Sequence, residues 1–198
     1  MPVSSTEFQS IMKKATQLHN DSPDKEEKYL LSVRDRDFSG SQLIKFRNQL
    51  AYALLSQSKT SEALALYEKN RDKAEGLGDN ELIADALEGI GNCQIDQANL
   101  NEAERNLKKA IAFYSLIINP EKKAKASNTL AVLYYMKGDY ESALPWFQRA
   151  LELTTDKTSI RYVMALGNSG LIYHSRGEMS RTRENSMQDI DISANKPF

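Results

Sequence analysis

Residues 130–156 carry two helical periods that meet at a tight turn. Leu130, Ala131 and Tyr134 fall at i, i+1 and i+4, one apolar stripe of a first helix. Gly138 then permits a bend that a Cβ would resist, and Asp139 suits the N-cap of a second helix. Tyr140, Ala143, Phe147, Ala150 and Leu151 stripe that second helix at i, i+3, i+7, i+10 and i+11. The small residues Ala131, Ala143 and Ala150 allow the two helices a close approach, and the large ones fill the remaining space.

The same pattern recurs. The small residues of successive first helices are Ala51, Gly91, Ala131 and Gly170, spaced 40, 40 and 39 residues apart. Ala63, Ala103, Ala143 and Thr182 open the second-helix stripes at the same intervals. Two independent landmarks with one period predict four helical hairpins, at about 41–78, 79–119, 120–157 and 158–193, with a tail at 194–198. Ahead of them, Phe8, Ile11, Met12, Ala15 and Leu18 stripe one amphipathic helix. Ser22-Pro23-Asp24 then reads as an N-cap with Pro at the first helical position, followed by Tyr29, Leu30 and Val33. This pair lacks the landmarks, so residues 1–38 are expected to form a degenerate repeat or capping hairpin.

Local signals mark the joints. Ser39 and Gln42 have capping-box spacing, as do Asn99 and Glu102. Gly76 and Gly78 are expected to end the second helix of the first repeat, and Asn119-Pro120 to close the second repeat. Pro145, inside a second helix, is expected to kink or tilt its turn. In the last hairpin Gly170, Tyr173 and Gly177 fit the pattern, but Thr182, Ser186 and Asp189 stand where Ala, an aromatic and Ala are expected. That hairpin is a polar cap, or the chain continues into a longer protein.

Leu130, Ala131, Tyr134, Gly138, Tyr140, Ala143, Phe147 and Ala150 together resemble the tetratricopeptide repeat, with Thr155 where that family usually has Pro. The period exceeds the family's commonest, about 34 residues, and is similar to the longer-helix variety of peptide-sensing regulators, cargo adaptors and bacterial sensory regions. The resemblance implies an all-α right-handed superhelix, an α-solenoid of antiparallel helix pairs. It also implies a protein or peptide partner held in a concave groove.

A second stripe runs beside each buried one. It holds Lys45, Asn48, Tyr52 and Leu55 in the first repeat, and Asp85, Glu88, Asn92 and Ile95 in the second. In the third it holds Lys125, Asn128, Val132 and Tyr135, and in the fourth Met164, Gly167 or Asn168, Leu171 and His174. Spacing puts each set on one face; the resemblance makes that face the groove. Every set carries an asparagine, whose amide offers donors and an acceptor and can pair with an extended peptide backbone. The related regulators and adaptors use groove asparagines in this way. The expected partner-binding residues are Asn48, Tyr52, Asn92, Lys125, Asn128, Tyr135, Asn168 and His174. The bland alternative is that asparagine is merely tolerated on a wet face. The family's chaperone-type carboxylate clamp is excluded: one register holds Asn48, Tyr52, Gly89, Lys125 and Thr129, the other Glu88, Asn92, Thr129, Met164 and Asn168. Each keeps a single expected residue.

Composition narrows the class without changing it. Across 198 residues, 26 basic and 27 acidic side chains leave a net charge of −1, so neither nucleic acid nor an anionic membrane is an expected partner. No apolar run approaches the roughly 20 residues of a membrane-spanning helix, the amino terminus lacks a secretory pattern, and a cytoplasmic location is expected. Cys93, His19 and His174 are the only cysteine and histidines, too few for a structural zinc site. Neither GxxxxGK[S/T] nor HExxH occurs, so no enzyme activity and no cofactor are expected. Cys93 reads as a packed small hydrophobe and Trp146 as half-covered; Lys122, Lys123 and Lys125 read as a solvated helix start. A protein-binding scaffold is the leading function. The alternatives are a sensor region of a larger signalling protein (a diguanylate cyclase, histidine kinase or transcription factor) and self-assembly through the C-terminal hairpin.

Overall fold

A computed structural model describes residues 2–175 and 177. Those residues form an all-α repeat fold with no strand: α1 (Ser5–Asp21), α2 (Pro23–Ser32), α3 (Gly40–Leu55), α4 (Thr60–Leu77), α5 (Asn80–Asp96), α6 (Leu100–Tyr114), α7 (Pro120–Met136), α8 (Tyr140–Leu153) and α9 (Ile160–Ser175). None of these helices is long and apolar enough to cross a membrane. The second helix of the fourth hairpin, with Thr182, Ser186 and Asp189, lies outside the described residues, and so does the self-association expected of it. The chain divides into two compact units, Met1–Phe113 and Tyr114–Phe198.

One turn is used again and again. After α3, the Ser58 N–H donates to Leu55 O at 2.9 Å and the Lys59 N–H to Leu54 O at 3.0 Å. After α5, Ala98 and Asn99 donate to Ile95 O and Gln94 O at 2.9 and 2.8 Å, and after α7, Gly138 and Asp139 donate to Tyr135 O and Tyr134 O at 3.0 Å each. This crossed pair of bonds is the Schellman helix ending, which needs a left-handed residue at its centre. Ser58, Ala98 and Gly138 supply it, with φ of 59°, 60° and 73°, and Gly177 repeats the left-handed φ at 74°. Two of these residues are not glycine, so the sequence pattern reveals only half of the set.

The helix starts follow their sequence signals in most cases. Ser39 and Gln42 form the expected capping box, and Asp139 accepts from the Ser142 N–H at 3.1 Å. Asn119-Pro120 opens α7, the Asn119 side chain accepting from the Lys122 N–H at 3.2 Å. Ser22 takes the N-cap position of α2 with Pro23 in its first turn, as expected, though without a side-chain cap bond. Two expectations need correction. Gly76 lies inside α4, and Gly78 alone, with φ 65°, ends it. Tyr140, as the first residue of α8, sits beyond the core and is exposed, tilted against Tyr135 at 5.4 Å; Leu144 is buried in that helix instead. α8 continues through Pro145.

In the first unit, α1 and α2 pair and both pack on α3, around Val3, Phe8, Ile11, Ala15, Leu30 and Phe46. Phe38 bridges Phe8 and Phe46, at 5.8 and 4.8 Å between ring centres. Glu27 of α2 ties this hairpin to the α3–α4 turn, accepting from Lys59 Nζ at 2.6 Å and Gln57 Nε2 at 2.8 Å. Ala51, Leu54, Ala63, Tyr67, Ile90 and Cys93 form the next layer between α3, α4 and α5. Here the backbones come very close. A Cβ on Gly89 would stand 2.3 Å from the Tyr67 ring, and one on Gly91 2.8 Å from Leu107. In the second unit α7, α8 and α9 pack on one another, burying Leu130, Ala131, Leu133, Ala143, Phe147, Ala150 and Ile172.

Two substitutions should therefore act in opposite directions. Gly89→Ala pushes a methyl into Tyr67 and is expected to lower unfolding free energy by about 1–3 kcal/mol. Ala98→Gly relieves a left-handed residue and is expected to raise it by roughly 1 kcal/mol. Urea midpoints for the two variants check both signs; a stabilised Gly89→Ala would contradict this packing.

Candidate functional site

The first helix of each pair buries one stripe and leaves the adjacent one partly open. In the first unit, α3 presents exposed Lys45, half-buried Asn48 and Tyr52, which is 44% exposed. α5 packs against α3 and carries Asp85, Asn92 and Ile95 half-buried and Glu88 buried. Asn48, Tyr52 and Asn92 thus lie on two neighbouring helices of one unit. In the second unit, α7 presents exposed Lys125 with half-buried Asn128, Val132 and Tyr135. α9, in contact with α7, carries half-buried Asn168, exposed His174, and Met164 and Leu171, which are 53% and 57% exposed. Lys125, Asn128, Tyr135, Asn168 and His174 lie on this second pair of neighbouring helices.

The asparagines differ in what they leave open. Asn70 of α4 is fully buried and donates through Nδ2 to Ile44 O at 3.3 Å and to Asn48 Oδ1 at 2.9 Å. A backbone carbonyl can only accept, so Ile44 fixes the orientation of the Asn70 amide, and Asn70 in turn fixes Asn48. The acceptor of Asn48 is therefore used inside the repeat, while its Nδ2 is covered and has no hydrogen-bond partner. In Asn128 it is Oδ1 that is covered and without a partner. Buried amide atoms are usually paired, which makes both positions unusual. Asn70 has no counterpart in the sequence pattern: it sits on a second helix among core residues, and only the fold brings it to Asn48.

A second feature escapes sequence reasoning altogether. Tyr52 stacks on His19 of α1, with ring centres 4.6 Å apart and 28° between planes. His19 Nδ1 lies 2.6 Å from Glu26 Oε2, and Glu26 is fully buried. The hairpin expected to be a degenerate repeat or a cap thus reaches one of the candidate residues.

Among the described residues no group of three or more His, Cys, Asp or Glu side chains is placed to hold a metal ion. Cys93 is buried, and burial pushes its thiol up to about 12. Burial likewise pushes the Tyr67 hydroxyl well above the ordinary tyrosine range.

Comparison with known proteins bears on the fold. A tetratricopeptide-repeat family model matches residues 42–115, and a second one matches residues 124–156. No curated protein matches the chain. Its fold is similar to that of a Rap protein complexed with Competence and Sporulation Factor, with a TM-score of 0.82 at 15% identity over 94% of this chain and 52% of that one. BtubC (BKLC) from P. vanneervenii is similar at TM-score 0.74 and 19% identity, over 98% of this chain and 84% of that one. A Signal Transduction ATPase with Numerous Domains protein from Pyrococcus horikoshii, which has a tetratricopeptide repeat sensor, is similar at TM-score 0.76 and 15% identity, over 94% of this chain and 29% of that one. At these identities the likeness concerns the fold alone.

The state of Cys93 gives a direct check. A thiol that ionises only near pH 12 is not a nucleophile at pH 8. The native chain is expected to resist an aromatic disulfide reagent at pH 8 and to react fully once denatured. Rapid labelling of the native chain would contradict its burial.

Proposed function

We propose, on the premise that the chain belongs to the tetratricopeptide-repeat family, that this protein-interaction scaffold holds its partner along the open stripes of its first helices. The observation that carries the reading is the exposure of large apolar side chains on those stripes. Tyr52, Met164 and Leu171 are 44%, 53% and 57% exposed, although neighbouring positions on the same helices are buried. Each stands in a stripe with an amide: Asn48 and Tyr52 on α3, Met164, Asn168 and Leu171 on α9. Apolar anchors beside amides suit an extended peptide, since the anchors take alternate side chains and the amides pair with its backbone. Asn92, Asn128 and Asn168 supply backbone contacts in this reading, and Asn48, its amide covered and held by Asn70, lines the stripe beside Tyr52. Tyr52, Lys125, Tyr135 and His174 add selectivity. The similar Rap protein is complexed with Competence and Sporulation Factor, which is in keeping with a bound partner here.

A second reading, that this is the sensor region of a larger signalling protein, is favoured by the likeness to the signal-transduction ATPase with its repeat sensor. An effector domain encoded in frame with the chain, on either side of it, supports this reading, and a reading frame without one removes it.

The asparagines are the sharpest point of attack. A partner recovered with the wild-type chain is titrated by calorimetry against an Asn128→Ala/Asn168→Ala double variant, both positions lying on neighbouring helices of one unit. Two lost hydrogen bonds are expected to weaken binding about tenfold, with helical circular dichroism unchanged. Equal affinity with equal helicity would remove the amides from the site.

A further inference from the structure

Glu26 has no exposed surface. Burying a carboxylate is costly unless donors satisfy it. Two do: His19 Nδ1 lies 2.6 Å from Oε2, and Gln49 Nε2 donates to Oε1. His19 belongs to α1, Glu26 to α2 and Gln49 to α3, so one buried carboxylate ties three helices together. The circuit then continues outward. The His19 ring, held at Nδ1, stacks on Tyr52 at 4.6 Å, and Tyr52 lies on the same helix as Gln49. Simple capping of a repeat array needs only an apolar contact, and Phe8, Phe46 and Leu30 already provide one. The charged part of this contact leads instead to an open-stripe tyrosine.

We propose that Glu26 and His19 are positioning residues for Tyr52, and that the N-terminal hairpin thereby belongs to the binding apparatus. Glu26 orients His19; His19 backs one face of the Tyr52 ring and holds its rotamer; the remaining surface of the ring stays open for the partner. A ring fixed before binding loses less side-chain entropy when the partner arrives. This role rests on the reading that Tyr52 meets the partner, but its test does not.

The test is made on the free full-length chain, by the three-bond Hα–Hβ couplings of Tyr52, which report its χ1 rotamer. In the wild type one large and one small coupling are expected, the mark of a single rotamer. Glu26→Gln removes the charge but keeps groups able to bond both His19 and Gln49, so the fixed rotamer is expected to persist. Glu26→Leu releases His19, and averaged couplings are expected. The double variant Glu26→Gln/His19→Leu carries no buried charge, which protects its folding, and averaged couplings are expected there too. A fixed Tyr52 rotamer in the double variant overturns the role of His19. A fixed rotamer in a folded Glu26→Leu chain overturns that of Glu26. Averaged couplings in the wild type overturn both. No partner enters the measurement, so failure of the stripe as a binding surface would be seen separately, in the calorimetry.

Discussion

The left-handed turn that joins α3 to α4, α5 to α6 and α7 to α8 is the constraint from which the rest follows. Its two crossed hydrogen bonds satisfy carbonyls that the end of a helix would leave unpaired. They also return the chain in one fixed direction, so the small residues of the first helix meet those of the second. Ser58 and Ala98 take the required conformation without being glycine, and an L-residue does so at a cost of roughly 1–2 kcal/mol. That the chain accepts this cost twice shows how strongly packing dictates the turn. Gly89 and Gly91 express the same demand from the helix side, since neither Tyr67 nor Leu107 leaves room for a methyl group.

Much of this was legible in the residues. The 40-residue spacing of Ala51, Gly91 and Ala131 predicted the hairpins, and local caps at Ser39, Asn119 and Asp139 marked their starts. The errors share a cause. Gly76 and Tyr140 were each read from type and position alone, and each depends on which neighbour its backbone or side chain reaches. Gly76 could have ended α4, but Gly78 is the residue that turns left-handed. Tyr140 falls on the apolar period, but one residue into a helix is too early to meet the core.

The candidate site was legible to a different degree. Period alone located the open stripes, because a helix that buries one side must present another. It could not show what each amide already does. The chain from Ile44 O through Asn70 to Asn48 crosses 26 residues of sequence, and no local pattern encodes it. The Glu26–His19–Tyr52 path is equally invisible: a lone histidine and a glutamate in a polar hairpin look like solvated side chains until three helices are packed around them.

The central claim is that the partner meets the open stripes of the first helices, with the second helices serving as their support. Hydrogen–deuterium exchange with and without bound partner tests it most directly. Added protection is expected in first helices alone, α3 and α5 of one unit or α7 and α9 of the other, with α4 and α8 unchanged. Protection confined to α4 and α8 would contradict it.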